Sequence, residues 1–178
     1  GRIRKSHLFT SDRTEFLRQL WRDVAAHERK AKRLGMVAAV RLNGSSDLPW
    51  ERNDMAAPIM RDFPNVQFYD YTKSFTRAML AIPPEIEYAG RHLWWPANYR
   101  LTFSFSGSNH DACRQILEYG GTVAAVFAHP PYPTEWLGFP VLDGDDHDYR
   151  YGDPGGQVVA LKAKGAAKRD TSGFVIHA

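Results

Sequence analysis

Apolar positions fall along the chain in short runs of two kinds. Between residues 12 and 34, Phe16, Leu20, Val24, Ala31 and Leu34 recur near one face at helical spacing, with cations and acids between them. Ser11 or Asp12 can cap this helix, Asp12 and Glu15 have capping-box spacing, and Gly35 is a natural stop. MVAAVRL (36–42) follows, too short and too evenly apolar for an amphipathic helix, and reads as a buried strand. A weaker helix covers about 53–62, against which Pro58 counts. VQFYDY (66–71) is a second strand and 74–80 a short helix. Residues 82–98 hold three prolines and no period, so they form an insertion loop. YRLTFSFS (99–106) is the third strand, and 109–121 a helix with an Asn109 cap and a Gly stop. TVAAVFAH (122–129) and QVVALKAKG (157–165) are the fourth and fifth strands, with PVL (140–142) a short extended piece between them. The tail after Lys168 reads as loose, with Phe174, Val175 and Ile176 able to dock.

Strands alternating with helices predict a single α/β domain over 1–178, with a mainly parallel sheet of about five strands. Five strands do not close an eight-stranded barrel, so an open or partial (βα) barrel, or a doubly wound sheet, is expected.

The composition, with 43% hydrophobic residues in 178, is that of a folded domain. No apolar run approaches the roughly 20 residues a membrane helix needs, and no secretory pattern opens the chain. The single cysteine, Cys113, rules out an internal disulfide framework or a Cys-based metal site, and points to a reducing cytoplasm. Net charge is +3, much of it at the ends: Arg2, Arg4 and Lys5, then Lys162, Lys164, Lys168 and Arg169. That balance predicts weak, salt-sensitive, sequence-independent contact with nucleic acid at most.

Ligands of such sheets bind beyond the carboxyl ends of the strands. The segments arriving there are NGSSD, TKS, SGSN, HPPYP and KAKG, and four of the five are polar, small or cationic. Arg41 ends an apolar strand and needs a carboxylate or a ligand. Ser45, Ser46 and Asp47 read equally as turn residues or as a ligand loop, and Lys73 as a loop lysine or a ligand contact. Ser104 and Ser106 alternate with Phe103 and Phe105, so the serines share one face, the lumen in a barrel. DGDDHD (143–148) gives Asp143 and Asp145 the opening spacing of a calcium loop. The EF-hand glycine and closing glutamate are missing, which leaves a weak metal candidate beside the reading as a solvated acidic turn. No Gly-rich phosphate fingerprint or G-x-S-x-G elbow occurs.

GRIRKSHLF, VRLNGSSDLPWE, FPNVQFYDYTK, NYRLTFSFS and DTSGFV, in that order, resemble the gene-product-88-like proteins of phage and mobile elements over nearly the whole chain. That family's pattern is similar in turn to radical S-adenosylmethionine proteins, which use a partial βα barrel. The resemblance implies that Ser45, Ser46 and Asp47 match a small-small-acidic motif that receives the methionine amino group. Arg41 and Asn43 would orient the ligand, and Lys73, Ser104 and Ser106 would complete the pocket. A phage-encoded chain would work in the host cytoplasm. Radical chemistry needs three cysteines on an iron–sulfur cluster, and this chain has only Cys113. Full-length family members carry a Cys-bearing segment upstream of the RIRK stretch. The cluster is therefore expected only if such a segment precedes Gly1, and the 178-residue chain is not expected to cleave S-adenosylmethionine alone. Two readings follow. One is a domain binding S-adenosylmethionine or a related small molecule. The other is a non-catalytic phage or plasmid protein acting on a host protein or nucleic acid through its basic ends and exposed Trp94, Trp95, Tyr132 and Trp136.

Overall fold

The computed structural model describes residues 2–44, 46–82 and 95–177, with residues 2–4 in backbone only. Helix α1 (Arg2–Ser11), which no sequence signal announced, leads into the long helix α2 (Arg13–Arg33). Asp12 caps α2 as its spacing predicts, its carboxylate accepting the Glu15 N–H at 2.9 Å. Val24, Ala25 and Ala31 face inward, but Leu34, placed on the same face by its spacing, is 58% exposed beyond the helix end.

Strand β1 (Ala39–Arg41) is shorter than the expected 36–42. Only these three residues have partners on β2 (Gln67–Thr72), and Met36 and Val37 are exposed. Helix α3 (Ala57–Asp62) accommodates Pro58 in its first turn, where the missing N–H costs nothing. Helix α4 (Phe75–Ala81) starts at Ser74, whose hydroxyl accepts from Arg77 N. Strand β3 (Tyr99–Ser104), helix α5 (His110–Glu118) and strand β4 (Thr122–Phe127) follow. Asn109 stands at the start of α5 but does not cap it through its side chain. Its carboxamide instead accepts from Ser106 N and donates to the Ser104 carbonyl, bracing the end of β3. The hairpin β5 (Glu135–Trp136) and β6 (Phe139–Asp143), then β7 (Gln157–Lys162), a 3-10 turn at Gly165–Arg169 and β8 (Val175–Ile176) complete the chain. Residues 83–94 of the expected insertion loop lie outside the described residues.

Among the described residues the sheet has eight strands rather than about five, in the order β1-β2-β3-β4-β7-β6-β5, with β8 beside the end of β4. The expected five are β1, β2, β3, β4 and β7. The additions include two-residue strands too short to leave a hydrophobic pattern, and the anticipated extended piece is β6. Every pairing is parallel except β5–β6, and the sheet is unclosed.

Register then sorts the side chains. Val40 pairs with Phe68, Phe68 with Tyr99, Phe103 with Val123 and Val123 with Val158, which puts all of them on one face. Buried residues of α2, α3, α4 and α5 pack against that face in two adjoining clusters. The opposite face of β1–β3 carries Arg41, Gln67, Tyr69, Tyr71, Arg100, Thr102 and Ser104. The segment 147–153 crosses it: Tyr149 donates its hydroxyl to Gln67 and meets Tyr69 edge-on at 6.0 Å, and Arg100 lies 5.4 Å from the Tyr151 ring. The approach into this segment is close, since a Cβ on Gly144 would stand 2.3 Å from the Val159 side chain. No helix among the described residues is long and apolar enough to cross a membrane.

Candidate ligand-binding site

The loop after β1 is organised by Asn43, which is 2% exposed. Its side-chain oxygen accepts from Ser46 Oγ at 2.8 Å, Leu48 N at 3.0 Å and Trp50 Nε1 at 2.8 Å, and its amide donates to the Leu48 carbonyl at 3.1 Å. These bonds fill the acceptor capacity of the Asn43 side chain and use one of its two amide N–H donors, so the side chain is committed to holding the loop. Below it, Asn43 N donates to Asp70, whose other oxygen accepts the Tyr99 hydroxyl at 2.9 Å. Asp70 is fully buried, and burial pushes its carboxyl up to about 6 against these two bonds and the charges of Arg41 and Arg77.

Asp47 ties the same loop to the next strand. Its carboxylate accepts from Thr72 Oγ1 at 3.0 Å, from Lys73 N at 2.8 Å and from the Arg77 guanidinium. Arg77 also grips Glu51 bidentately at 2.7 and 2.8 Å and donates to the Leu48 carbonyl at 3.0 Å. Burial disfavours the Arg77 charge, but Glu51 and Asp47 more than offset it and the guanidinium stays ionised. The acid of the NGSSD loop thus has an internal cation, and the two residues that supply and share it, Arg77 and Glu51, carry no motif in the sequence. Ser45 lies outside the described residues.

Arg41 is differently placed. Its guanidinium lies 4.6 Å from the centre of the Tyr71 ring and its Nε donates to the Asn43 carbonyl at 3.3 Å. Among the described residues it makes no ion pair. It also lines a cavity of about 410 Å³ between α2 and β1, together with Phe16, Leu20, His27 and Trp50. Burial raises the phenols of Tyr69 and Tyr71 above their ordinary value, so both rings stay neutral.

The candidates therefore form two groups. Ser46, Asp47 and Lys73 share the rim, Lys73 with an exposed side chain. Ser104 is half-buried on the helix-free face, and Ser106 is exposed just beyond β3. Register sets Arg41 level with Tyr69 and Arg100, four residues below Ser104 and two strands away. That is about 13 Å along the strands and about 10 Å across them, beyond direct contact.

Also on the helix-free side, and not foreseen, is Arg150. Its side chain is 1% exposed and lies 3.2 Å from Asp153, itself 5% exposed. It also donates to the His147 carbonyl and to His147 Nδ1 at 2.9 Å, so that nitrogen presents its lone pair. Burial raises the Asp153 carboxyl despite the arginine.

Other candidates find partners within the fold. Asp145 accepts from Tyr132 OH at 2.6 Å, Lys162 N at 2.7 Å and Lys164 Nζ at 2.8 Å, and Asp143 accepts from Asp145 N. No group of three or more His, Cys, Asp or Glu among the described residues is placed to hold a metal ion. Trp95 stacks on Tyr99 at 5.5 Å, and Tyr132 and Trp136 pack against Phe127 and the second core cluster, so these three aromatics are half-buried and not the exposed anchors expected. Trp94 lies outside the described residues. The basic ends do not merge, because Lys5 sits beside β1 and Lys162 on β7, with β2, β3 and β4 between them. Cys113 is fully buried and its thiol is pushed up to about 12 by burial.

No curated protein and no solved structure matches the chain. A family model does, over residues 1–178, and by that match the chain belongs to the gene product 88 family.

Proposed function

We propose that this chain is a small-molecule-binding domain whose fold derives from a partial βα barrel, and that it takes S-adenosylmethionine or a related adenosyl compound without acting as a catalyst alone. The barrel reading is supported by strands β1 to β4, which neighbour one another in chain order, and by helices α2 to α5 packed on one face of the sheet. The observation that carries the ligand reading is Arg41, a strand-end guanidinium with no carboxylate partner among the described residues, standing between a cavity of about 410 Å³ and a face of tyrosines and hydroxyls. That volume is within the range of small-molecule sites. A ligand carboxylate meets Arg41, its flat ring lies against Tyr71, and the Ser46–Asp47 loop closes over it, held in place by Arg77. Asp47 keeps one lone-pair direction on the oxygen facing Arg77, which is what a ligand ammonium would use. An iron–sulfur cluster does not fit the residues present: the one thiol is buried in α5 and held protonated.

Isothermal titration with S-adenosylmethionine and S-adenosylhomocysteine tests this. Arg41→Ala should weaken binding at least about tenfold, the loss of one charge-assisted contact, while Lys168→Ala leaves it unchanged. No binding of either compound at millimolar concentration, or binding indifferent to Arg41→Ala, would overturn it.

A further inference from the structure

Charge is distributed unevenly along this chain. Residues 2–33 hold ten Lys or Arg against four acids, a net +6, and with 23 against 20 overall the rest hold 13 against 16, a net −3. The cationic part is α1 and α2. On α2, Arg18, Arg22, Arg29 and Arg33 are spaced 4, 7 and 4 residues apart and are all exposed. At about 100° per residue they fall within about 60° of one another, and they span about 22 Å along the axis. Of the four nearby acids, Asp12 caps the helix, Glu15 pairs with Arg18 and Asp23 pairs with Lys5 at 3.6 Å, leaving Glu28. Among the described residues no ion pair involves Arg22, Arg29, Lys30, Lys32 or Arg33.

The helix dipole accounts for cations in the last turn, Lys30, Lys32 and Arg33. It does not account for Arg18 and Arg22, which lie in the first half of the helix. A membrane surface is disfavoured by the packing. An interfacial helix needs its apolar face free, whereas Phe16, Leu20, Val24 and Ala31 are committed to the core. Of the exposed apolar residues near the stripe, Leu34, Met36 and Val37 lie beyond one end of it, and Trp21, which lies along it, is tied down by its contact with Phe63 at 5.1 Å and its Nε1 bond to Asp62 at 2.9 Å.

We propose that the exposed face of α2 binds the phosphodiester backbone of double-stranded DNA, with Arg18, Arg22, Arg29 and Arg33 as the phosphate contacts. The binding is independent of sequence, because the stripe offers guanidinium forks for phosphate and no side chains aimed at base edges. It is separate from the small-molecule site, on the outer side of the helix layer.

The test is fluorescence anisotropy with a labelled random-sequence duplex of about 20 base pairs, at about 50 and about 200 mM KCl. Four phosphate contacts give a slope near −3.6, so the affinity should fall about 100-fold between the two salts. The triple variant Arg22→Gln, Arg29→Gln, Arg33→Gln should bind at least tenfold more weakly and lose about 2.7 from the slope. Its circular dichroism and its response to S-adenosylmethionine should match the wild type, which separates failure here from failure of the small-molecule reading. The paired control Lys162→Gln, Lys168→Gln should bind DNA as the wild type does. No duplex binding at low salt, a triple variant that binds normally, or capture by phosphatidylserine vesicles in place of duplex would each overturn the proposal.

Discussion

Replacing Asp70 by Asn should change the pH dependence of stability in a direction opposite to that of most acids. Asp70 is fully buried beneath the Asn43 loop, and burial raises its carboxyl from 3.8 to about 6. The folded state therefore holds this proton more tightly than the unfolded chain does. The contribution to stability is complete below pH about 3.8 and is lost as pH rises through about 6. The gap between 3.8 and about 6, at about 1.36 kcal/mol per pH unit, amounts to about 3 kcal/mol. Asparagine keeps an acceptor for Asn43 N–H, and its amide can donate to the Tyr99 hydroxyl, so both bonds survive with their directions adjusted. Urea unfolding of both proteins between pH about 4 and about 7 should show Asp70→Asn gaining about 3 kcal/mol on the wild type across that range, other carboxylates cancelling in the difference. A difference flat to within about 1 kcal/mol, or a variant that loses ground as pH rises, would show that the hydrogen bonds outweigh the desolvation and would refute the reasoning.

Arg77→Met should cost about 3 kcal/mol in urea unfolding, at the low end for a broken buried pair because the Asp47 side chain is 36% exposed. Amide exchange at Lys73 should rise with it, and Arg77→Lys should recover only part, since an ammonium cannot grip Glu51 with two parallel bonds; a loss under about 1 kcal/mol would contradict the structural role. Gly144→Ala should lower stability by about 2 kcal/mol or more, because its Cβ would stand 2.3 Å from the Val159 side chain and 2.8 Å from the Ala160 carbonyl oxygen. Gly35→Ala, with φ of +67° and open space around it, should cost only about 1 kcal/mol, and thermal melts that rank the two the other way would reject this account.

Features that depend on near neighbours were legible in the sequence. The Asp12 cap, the α2 stripe apart from Leu34, and the alternation of helix with strand rest on spacings of a few residues and came through into the fold. So did the separation of Phe103 and Phe105 from Ser104 and Ser106, a matter of strand parity. The same parity in VQFYDY sets Asp70 with Phe68, so a buried acid could have been read there. Tertiary structure alone decided the rest. Strand β1 stops at three residues because only three find partners on β2, and the two-residue strands β5 and β8 exist only because a neighbour is in place to receive them. Arg77 lies 30 residues from Asp47 and 26 from Glu51, and nothing local distinguishes it from a solvated helix arginine. Whether Arg41 would meet a carboxylate, and whether helices would cover one face or both, were likewise settled by strand order and register. A side chain's chemistry is local, but its burial and its partners are set by segments that folding brings from far along the chain.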